Sequence, residues 1–217
     1  MLFKDRLSVK KIETELERQQ ALEVFDAVYC SEKGWVDDRE AMLPREDLEN
    51  HEVEWFATLV DGRIAGVCRV LYTIPIELYR EYGFKLTVPG LDVEKFVSEN
   101  NIAEVGRFAV LPKYRRKMMV SAMLMRAAGA SAVARGASHF ITDVFEDDPN
   151  TPRGFHKRVL GFQEVATHDH GELHTDSRRI TMLLDLNKAA KEVSGKKGWF
   201  FRFLREENGE MAGALAN

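Results

Sequence analysis

Apolar positions along the chain fall into short alternating runs and longer helical stripes. The most informative run is residues 102–125, IAEVGRFAVLPKYRRKMMVSAMLM. Ile102, Val105, Phe108, Val110 and Leu111 give it the β-branched and aromatic bulk of a strand. Pro112 ends that strand, having no N–H to offer a ladder. A basic turn follows, Lys113-Tyr114-Arg115-Arg116-Lys117. From Met118 to Arg135 the Met, Leu and Ala content, free of proline, predicts a long helix.

The same reading lays out the other elements. Leu7–Glu13 is a short first strand. Glu15–Glu32 is a helix with Leu22, Phe25, Ala27, Val28 and Tyr29 largely on one face and Gly34 as its left-handed cap. Trp35-Val36 and an acidic loop, DDREAMLPREDLENHEVE, come next; a loop of this length is uncommon unless functional or partly disordered. Glu54–Val60 and Arg63–Tyr72 are strands joined by Asp61-Gly62, the strongest hairpin signal in the chain. Ile76–Tyr82 is a short helix after Pro75, Pro89-Gly90 a turn, and Asp92–Ser98 a second short helix. His139–Phe145 is a strand. Thr151–Leu160 is a helix with Thr151 as cap and Pro152 at its first position, stopped by Gly161-Phe162. Strands at Gln163–Ala166 and Arg178–Leu186 complete the set. A hairpin followed by β-α-β-α-β-β is an α/β or α+β order built on one mostly central sheet.

Composition narrows the classes. The 217 residues suit one domain with a tail, drawn here as 1–186 and 187–217. A net charge of −4 argues against nucleic acid as a partner. Two cysteines, Cys30 and Cys68, exclude a disulfide framework; flanked by apolar neighbours, they read as buried thiols in a reducing cytoplasm. The first twenty residues lack the apolar core of a secretory signal, and no run is long enough to span a bilayer. In the tail, Trp199, Phe200, Phe201, Phe203 and Leu204 stand among Lys196, Lys197, Arg202 and Arg205. That pattern reads as a helix docking on the domain or on a partner chain, with peripheral contact to the inner membrane as its other use.

Chemistry gathers where the central strand meets the long helix. The first-turn amides of a helix lack intrahelical partners, so strand, basic turn and helix start can hold an anion or a carbonyl oxygen. Basic turns are usually just solvated, but cations at a helix N-terminus oppose its dipole, and an anionic ligand offsets that cost. Glu104 and Arg107 lie three apart, on opposite faces of a regular strand unless a bulge intervenes. Arg69 interrupts an apolar strand, as an edge charge, a bridge to the acidic loop or a ligand for a substrate carboxylate. Trp35 is core or a flap over a substrate. His168, His170 and His174 fit no closed zinc pattern, and a polar hairpin loop is the better reading, so no metal is expected. No Ser/Cys-His-Asp arrangement is present, which favours direct attack by a nucleophile over a covalent enzyme intermediate.

The element order, with V-x-P-x-x-R-R at residues 110–116, resembles the GNAT acyltransferase superfamily. Four pieces narrow the likeness: VFDAVYCSEKGWV (Val24–Val36), the acidic loop with Asp47, the hairpin DGRIAGVCRVL (Asp61–Leu71) and EVGRFAV (Glu104–Val110). In that order they resemble the acyl-homoserine-lactone synthases and the long-chain N-acyl amino acid synthases. There a helix ending in G-W precedes an acidic loop, a G-x-x-R (here Gly66–Arg69) sits on the return strand, and another strand carries E-x-x-R-F-x-V. The likeness covers roughly Val9–Asp185.

The resemblance implies a three-layer sandwich: a central mixed, mostly antiparallel sheet with a splayed central strand, and helices on both faces. It implies an N-acyltransferase in which Glu104 takes the acceptor amine's proton and Arg107 binds the acceptor's carboxylate or orients Glu104. Phe108, Ala109 and Val110 would steady the thioester oxyanion. Arg115, Arg116, Lys117, Met118 and Met119 would hold the donor's phosphopantetheine, and Trp35, Asp47 and Arg69 the acceptor. The usual phosphate loop of the superfamily is glycine-rich, whereas Arg116–Ser121 has no glycine, so close approach to a pyrophosphate is harder. An acyl carrier protein is therefore expected as donor in preference to acyl-CoA, its acidic surface meeting the basic turn. The acidic candidates Asp37, Asp38, Asp47 and Glu49 lack the strict spacing of the lactone synthases, which favours an amino acid acceptor. No tightly bound cofactor is expected. Two other readings stay open: an acetyl-CoA-dependent N-acetyltransferase, and a non-catalytic acyl-sensing or interaction domain.

Overall fold

The computed structural model describes residues 6–74 and 76–195; the aromatic stretch Trp199–Leu204 lies outside them. The strands are β1 (Leu7–Lys11), β2 (Val53–Val60), β3 (Arg63–Leu71), β4 (Lys85–Leu86), β5 (Ile102–Val110), β6 (His139–Phe145), β7 (Gln163–His168) and β8 (Arg179–Asp185). The helices are α1 (Glu15–Phe25), α2 (Ile76–Glu81), α3 (Val93–Glu99), α4 (Met118–Ala134), the single turn α5 (Arg153–Phe155) and α6 (Leu186–Gly195). Along the hydrogen-bonded ladder the strand order is β1-β2-β3-β5-β6-β8-β7-β4, a mixed sheet of eight strands with flanking helices. The chain forms two compact units, Met1–Leu71 with Val105–Ser131 and Tyr72–Glu104 with Ala132–Asn217, and β5 contributes residues to both.

In the first unit, β1, β2 and β3 form an antiparallel meander. Asp61 and Gly62 both take positive φ (51° and 78°), the backbone a tight hairpin needs to follow the twist of its strands. α1 begins with a capping box: Glu17 N–H donates to Thr14 Oγ1 at 3.3 Å, and Thr14 N–H donates to Glu17 Oε2 at 3.2 Å. The helix expected to run to Glu32 leaves α geometry at Asp26 and continues as π-helical turns to Glu32. Apolar spacing of three and four suits either form, so periodicity does not tell them apart. Phe25 packs edge-on to Tyr29 (5.4 Å) and Trp55 (5.8 Å) at the centre of this core.

The acidic loop is ordered. It folds as two 3-10 turns, Arg39–Met42 and Arg45–Leu48, and buries Met42 and Leu43. Arg18 of α1 is the anchor: its buried guanidinium donates to Leu43 O at 2.7 Å and pairs with Glu15 and Glu40. A buried cation is tolerable only when so satisfied.

In the second unit, β6, β8, β7 and β4 pair antiparallel in turn, and Ile102–Glu104 of β5 runs parallel to His139–Ile141. The two residues of β4 carry too little pattern to be seen in sequence. Asp92 caps α3 by accepting from Lys95 N–H at 3.0 Å. The helix expected at residues 151–160 departs from its reading. Pro152 is the cap residue and gives no side-chain bond, and after one α turn the chain widens into π turns at His156–Leu160. Thr151 does not cap; its hydroxyl is buried and makes no hydrogen bond among the described residues. Cys68 is buried, but Cys30 is half-exposed, correcting the expectation for that thiol.

Candidate active site

β5 carries Glu104 as its single carboxylate and Arg107 three residues on. Arg107 has φ 46°, and among the described non-glycine residues only Asp61 shares a positive φ. Left-handed backbone costs an ordinary side chain about 1 kcal/mol and persists where packing enforces it. The parallel ladder to β6 covers Ile102–Glu104 and goes no further. The kink at Arg107 comes three residues after the last of these pairs.

In the first unit, Arg107 Nη1 donates to Ala41 O at 2.7 Å and Met42 O at 2.6 Å. The same strand that carries the kink thus clamps the acidic loop. Tyr29 Oη donates to Phe108 O at 3.4 Å, while Ala109 and Val110 are buried. Gly66 of β3 lies against this part of β5: a Cβ there would sit 3.0 Å from Ala109 O and 3.0 Å from Val110 Cγ2. Asp47 accepts from Trp55 Nε1 at 3.0 Å, and Arg69 stands opposite Trp55 in the β2–β3 register. Trp35 packs edge-on to Tyr29 at 5.3 Å, with the Lys33 ammonium 5.2 Å from its ring centre. Tyr29, Trp35, Trp55, Asp47 and Arg107 are thereby joined through the loop and its floor.

The basic turn is divided in its commitments. Arg115 is held by Glu32 through two bonds of 2.6 and 2.5 Å and donates from Nε to Val110 O at 3.2 Å. Lys113 and Lys117 lie over the Tyr114 ring at 4.9 and 5.5 Å. Lys113, Arg116 and Met118 are exposed, and Met119 is half-buried at the start of α4.

In the second unit, Glu104 is half-buried, and its Oε2 accepts from Tyr79 Oη at 3.3 Å. Tyr79 is 8% exposed and meets Phe84 (5.9 Å) and His168 (5.7 Å) edge-on. His168 is buried, bonded at Nδ1 to His170 O (2.8 Å) and at Nε2 to Asp143 Oδ2 (3.1 Å), with Tyr82 stacked on it at 6.0 Å. Thr181 Oγ1 donates to the other Asp143 oxygen at 2.7 Å. Tyr79 also lines an apolar cavity of about 390 Å³ with Phe84, Leu86, Val97, Ile102 and Ile141. Ile102 shares a strand face with Glu104, and Ile141 is the register partner of Glu104.

Sequence reasoning missed Tyr79 and the cavity. The available signal was Tyr79 and Tyr82 three apart on a predicted helix, which puts both on one side of it. Elsewhere in this unit, burial pushes the His156 imidazole down to about 4. Among the described residues no group of three or more His, Cys, Asp or Glu has the arrangement of a metal site, and no helix is long and apolar enough to cross a membrane.

Residues 19–162 match the model of the acetyltransferase (GNAT) family, and the chain belongs to that family of acyl-transferring enzymes. No curated protein matches it. Among solved structures it is similar to FeeM, an N-acyl amino acid synthase from uncultured soil microbes, at 14% identity and a TM-score of 0.65; the match covers 87% of this chain and 96% of that one. It is similar to the ribosomal-protein-S18-alanine N-acetyltransferase of Escherichia coli at 12% identity and TM-score 0.57, covering 83% and 94%. It is also similar to an aminoglycoside 6'-N-acetyltransferase complexed with coenzyme A, at 11% identity and TM-score 0.57, covering 82% and 97%. At these identities the likeness establishes a shared fold.

Proposed function

We propose that the protein transfers a medium or long acyl chain from a phosphopantetheine thioester to the amine of an amino acid. One observation carries the reading: Tyr79 both lines an apolar cavity of about 390 Å³ and hydrogen-bonds Glu104. An acetyl group has no use for such a cavity beside the proton acceptor, whereas a fatty chain does.

In this reading Glu104 removes a proton from the acceptor's ammonium, directly or through one water. The free amine attacks the thioester carbon, and amides of β5 near Phe108–Val110 stabilise the oxyanion. Collapse forms the amide C–N bond and breaks the C–S bond; the thiolate leaves and takes up the second amine proton. Trp35, Asp47 and Arg69 belong to the acceptor side. Arg107 acts by holding Ala41 and Met42 of the loop in place, its guanidinium already donating to both carbonyls.

For the donor, an acyl carrier protein remains the preferred source. Lys113 and Arg116 are exposed beside the start of α4, which suits an acidic partner, and Arg115, held by Glu32, shapes the turn. Coenzyme A is the second source, because an enzyme of the same fold is complexed with it. The test supplies full-length protein with acyl-carrier and acyl-CoA thioesters of graded length and a mixture of amino acids, read by mass spectrometry. Acylated amino acids from carrier thioesters, lost when Lys113 and Arg116 are both changed to Glu, support the reading. Acetylated product alone refutes it.

A further inference from the structure

The apolar cavity beside Glu104 has a neighbour. A second cavity, of about 310 Å³, is lined by Leu91, Phe96, Val165 and Leu183, and all four also line the first. Val165 and Leu183 belong to β7 and β8, so they form a continuous sheet floor under both spaces. Leu91 and Phe96 come from the covering segment, the turn before α3 and α3 itself. They line both spaces from the covering side.

The β5–β6 register locates where the cavities meet. Glu104 pairs with Ile141, and Ile102 with His139. On β6, Ile141 lines the first cavity and His139 the second, roughly 7 Å further along the strand, while Ile102, the partner of His139, lines the first, so the two spaces meet at this level. The Phe96 ring packs edge-on to His139 at 5.0 Å, so it stands where the first space gives way to the second. Each cavity has room for roughly ten water-sized groups. A chain entering beside Glu104 fills the first space and then meets Phe96.

We propose that Phe96, with Leu91, is the stop that sets acyl-chain length, and that the second cavity is reached by longer chains only when this wall moves aside. The proposal rests on the acyl-transfer reading of the Glu104 site and names the residue that selects its substrate. The wall is made of a half-buried aromatic on a short helix, a side chain able to swing without disturbing the sheet floor.

The test uses full-length protein and stable S-alkyl pantetheine thioethers of increasing length, which bind without reacting, in displacement of a fluorescent apolar probe. Affinity in the unaltered protein should rise roughly fourfold per methylene and then level off at one length. Phe96→Ala, and the milder Phe96→Leu if the first variant folds poorly, should move that break to longer chains. Phe96→Trp should move it to shorter ones. A series without a break, or a break at the same length in both the Ala and Leu variants, overturns the proposal. The transfer assay separates the two ideas. Acylated product with an unmoved break removes the length stop alone. A moved break without any product leaves the length stop standing and removes the acyl-transfer reading.

Discussion

Tyr79 Oη donates to Glu104 Oε2 at 3.3 Å, tying the carboxylate of β5 to the wall of an apolar cavity. A hydroxyl donor fixes the carboxylate's direction, and a bond to a charged group contributes about 1.5–3 kcal/mol. Tyr79→Phe keeps the ring contacts with Phe84 and His168 and removes the hydroxyl's bond to Glu104. It should lower kcat by roughly tenfold to a hundredfold with little change in donor KM. Steady-state kinetics with a fixed donor checks this; an unchanged kcat would show that Tyr79 only packs.

Arg107 combines a left-handed backbone with two donations to the acidic loop. Arg107→Gly relieves the first and loses the second, whereas Arg107→Ala keeps the left-handed strain and loses the donations. The Ala variant should be less stable than the Gly variant by about 1 kcal/mol in urea unfolding. Both should expose residues 39–48 to limited proteolysis. If the loop stays protected in both, the anchor at Arg18 is sufficient alone.

Gly66 sets how closely β3 approaches β5. An added methyl would press on Ala109 O, a backbone atom that cannot rotate away. Gly66→Ala should therefore cost roughly 1–3 kcal/mol of stability and reduce transfer by shifting the β5 amides. Thermal unfolding and the transfer rate should fall together.

His156 and Glu17 both make the fold sensitive to acid. His156 is buried, and burial holds its imidazole at about 4 against an ordinary 6.5. The folded state thus binds fewer protons than the unfolded chain. The stability this neutral form contributes is complete above about pH 6.5 and is lost as pH falls through 6.5 towards 4, on the order of 3 kcal/mol in all. Glu17 follows at lower pH. Burial alone would raise its carboxyl, but bonds from Glu13 N–H and Lys10 outweigh it and hold it at about 2 instead of 4.5. Its contribution is present above 4.5 and lost on the way down to 2. His156→Phe should make the stability profile less steep between pH 6.5 and 4, and Glu17→Gln should do so below 4.5, where Glu15, also held at about 2, keeps part of the slope. Urea midpoints measured across that range decide both.

Much of this architecture was legible because local pattern and tertiary role agree. The Asp61-Gly62 turn, the β5 strand ended by Pro112 and the Met-rich α4 each satisfy their own backbone needs, so sequence alone shows them. What stayed hidden depends on partners distant in sequence. The burial of Arg18 has no local signal, since it depends on Leu43 and Glu40, 25 and 22 residues away. Nothing local in the sequence shows that the Asp47 carboxylate accepts from the Trp55 indole. The basic turn looked uniform, yet Glu32 holds Arg115 and leaves Lys113 and Arg116 outward. The π turns at Asp26–Glu32 and His156–Leu160 were hidden for a different reason, since their apolar spacing also suits an α-helix.

The central claim, that Glu104 beside an apolar cavity drives transfer of a fatty chain to an amine, is tested most directly by one rate comparison. Product formation is measured with acetyl and long-chain carrier thioesters for the unaltered protein and for Glu104→Gln. The account predicts faster transfer of the long chain, and a loss of roughly a hundredfold or more in the variant. Equal rates for acetyl and long chains, or a variant as active as the parent, would contradict it.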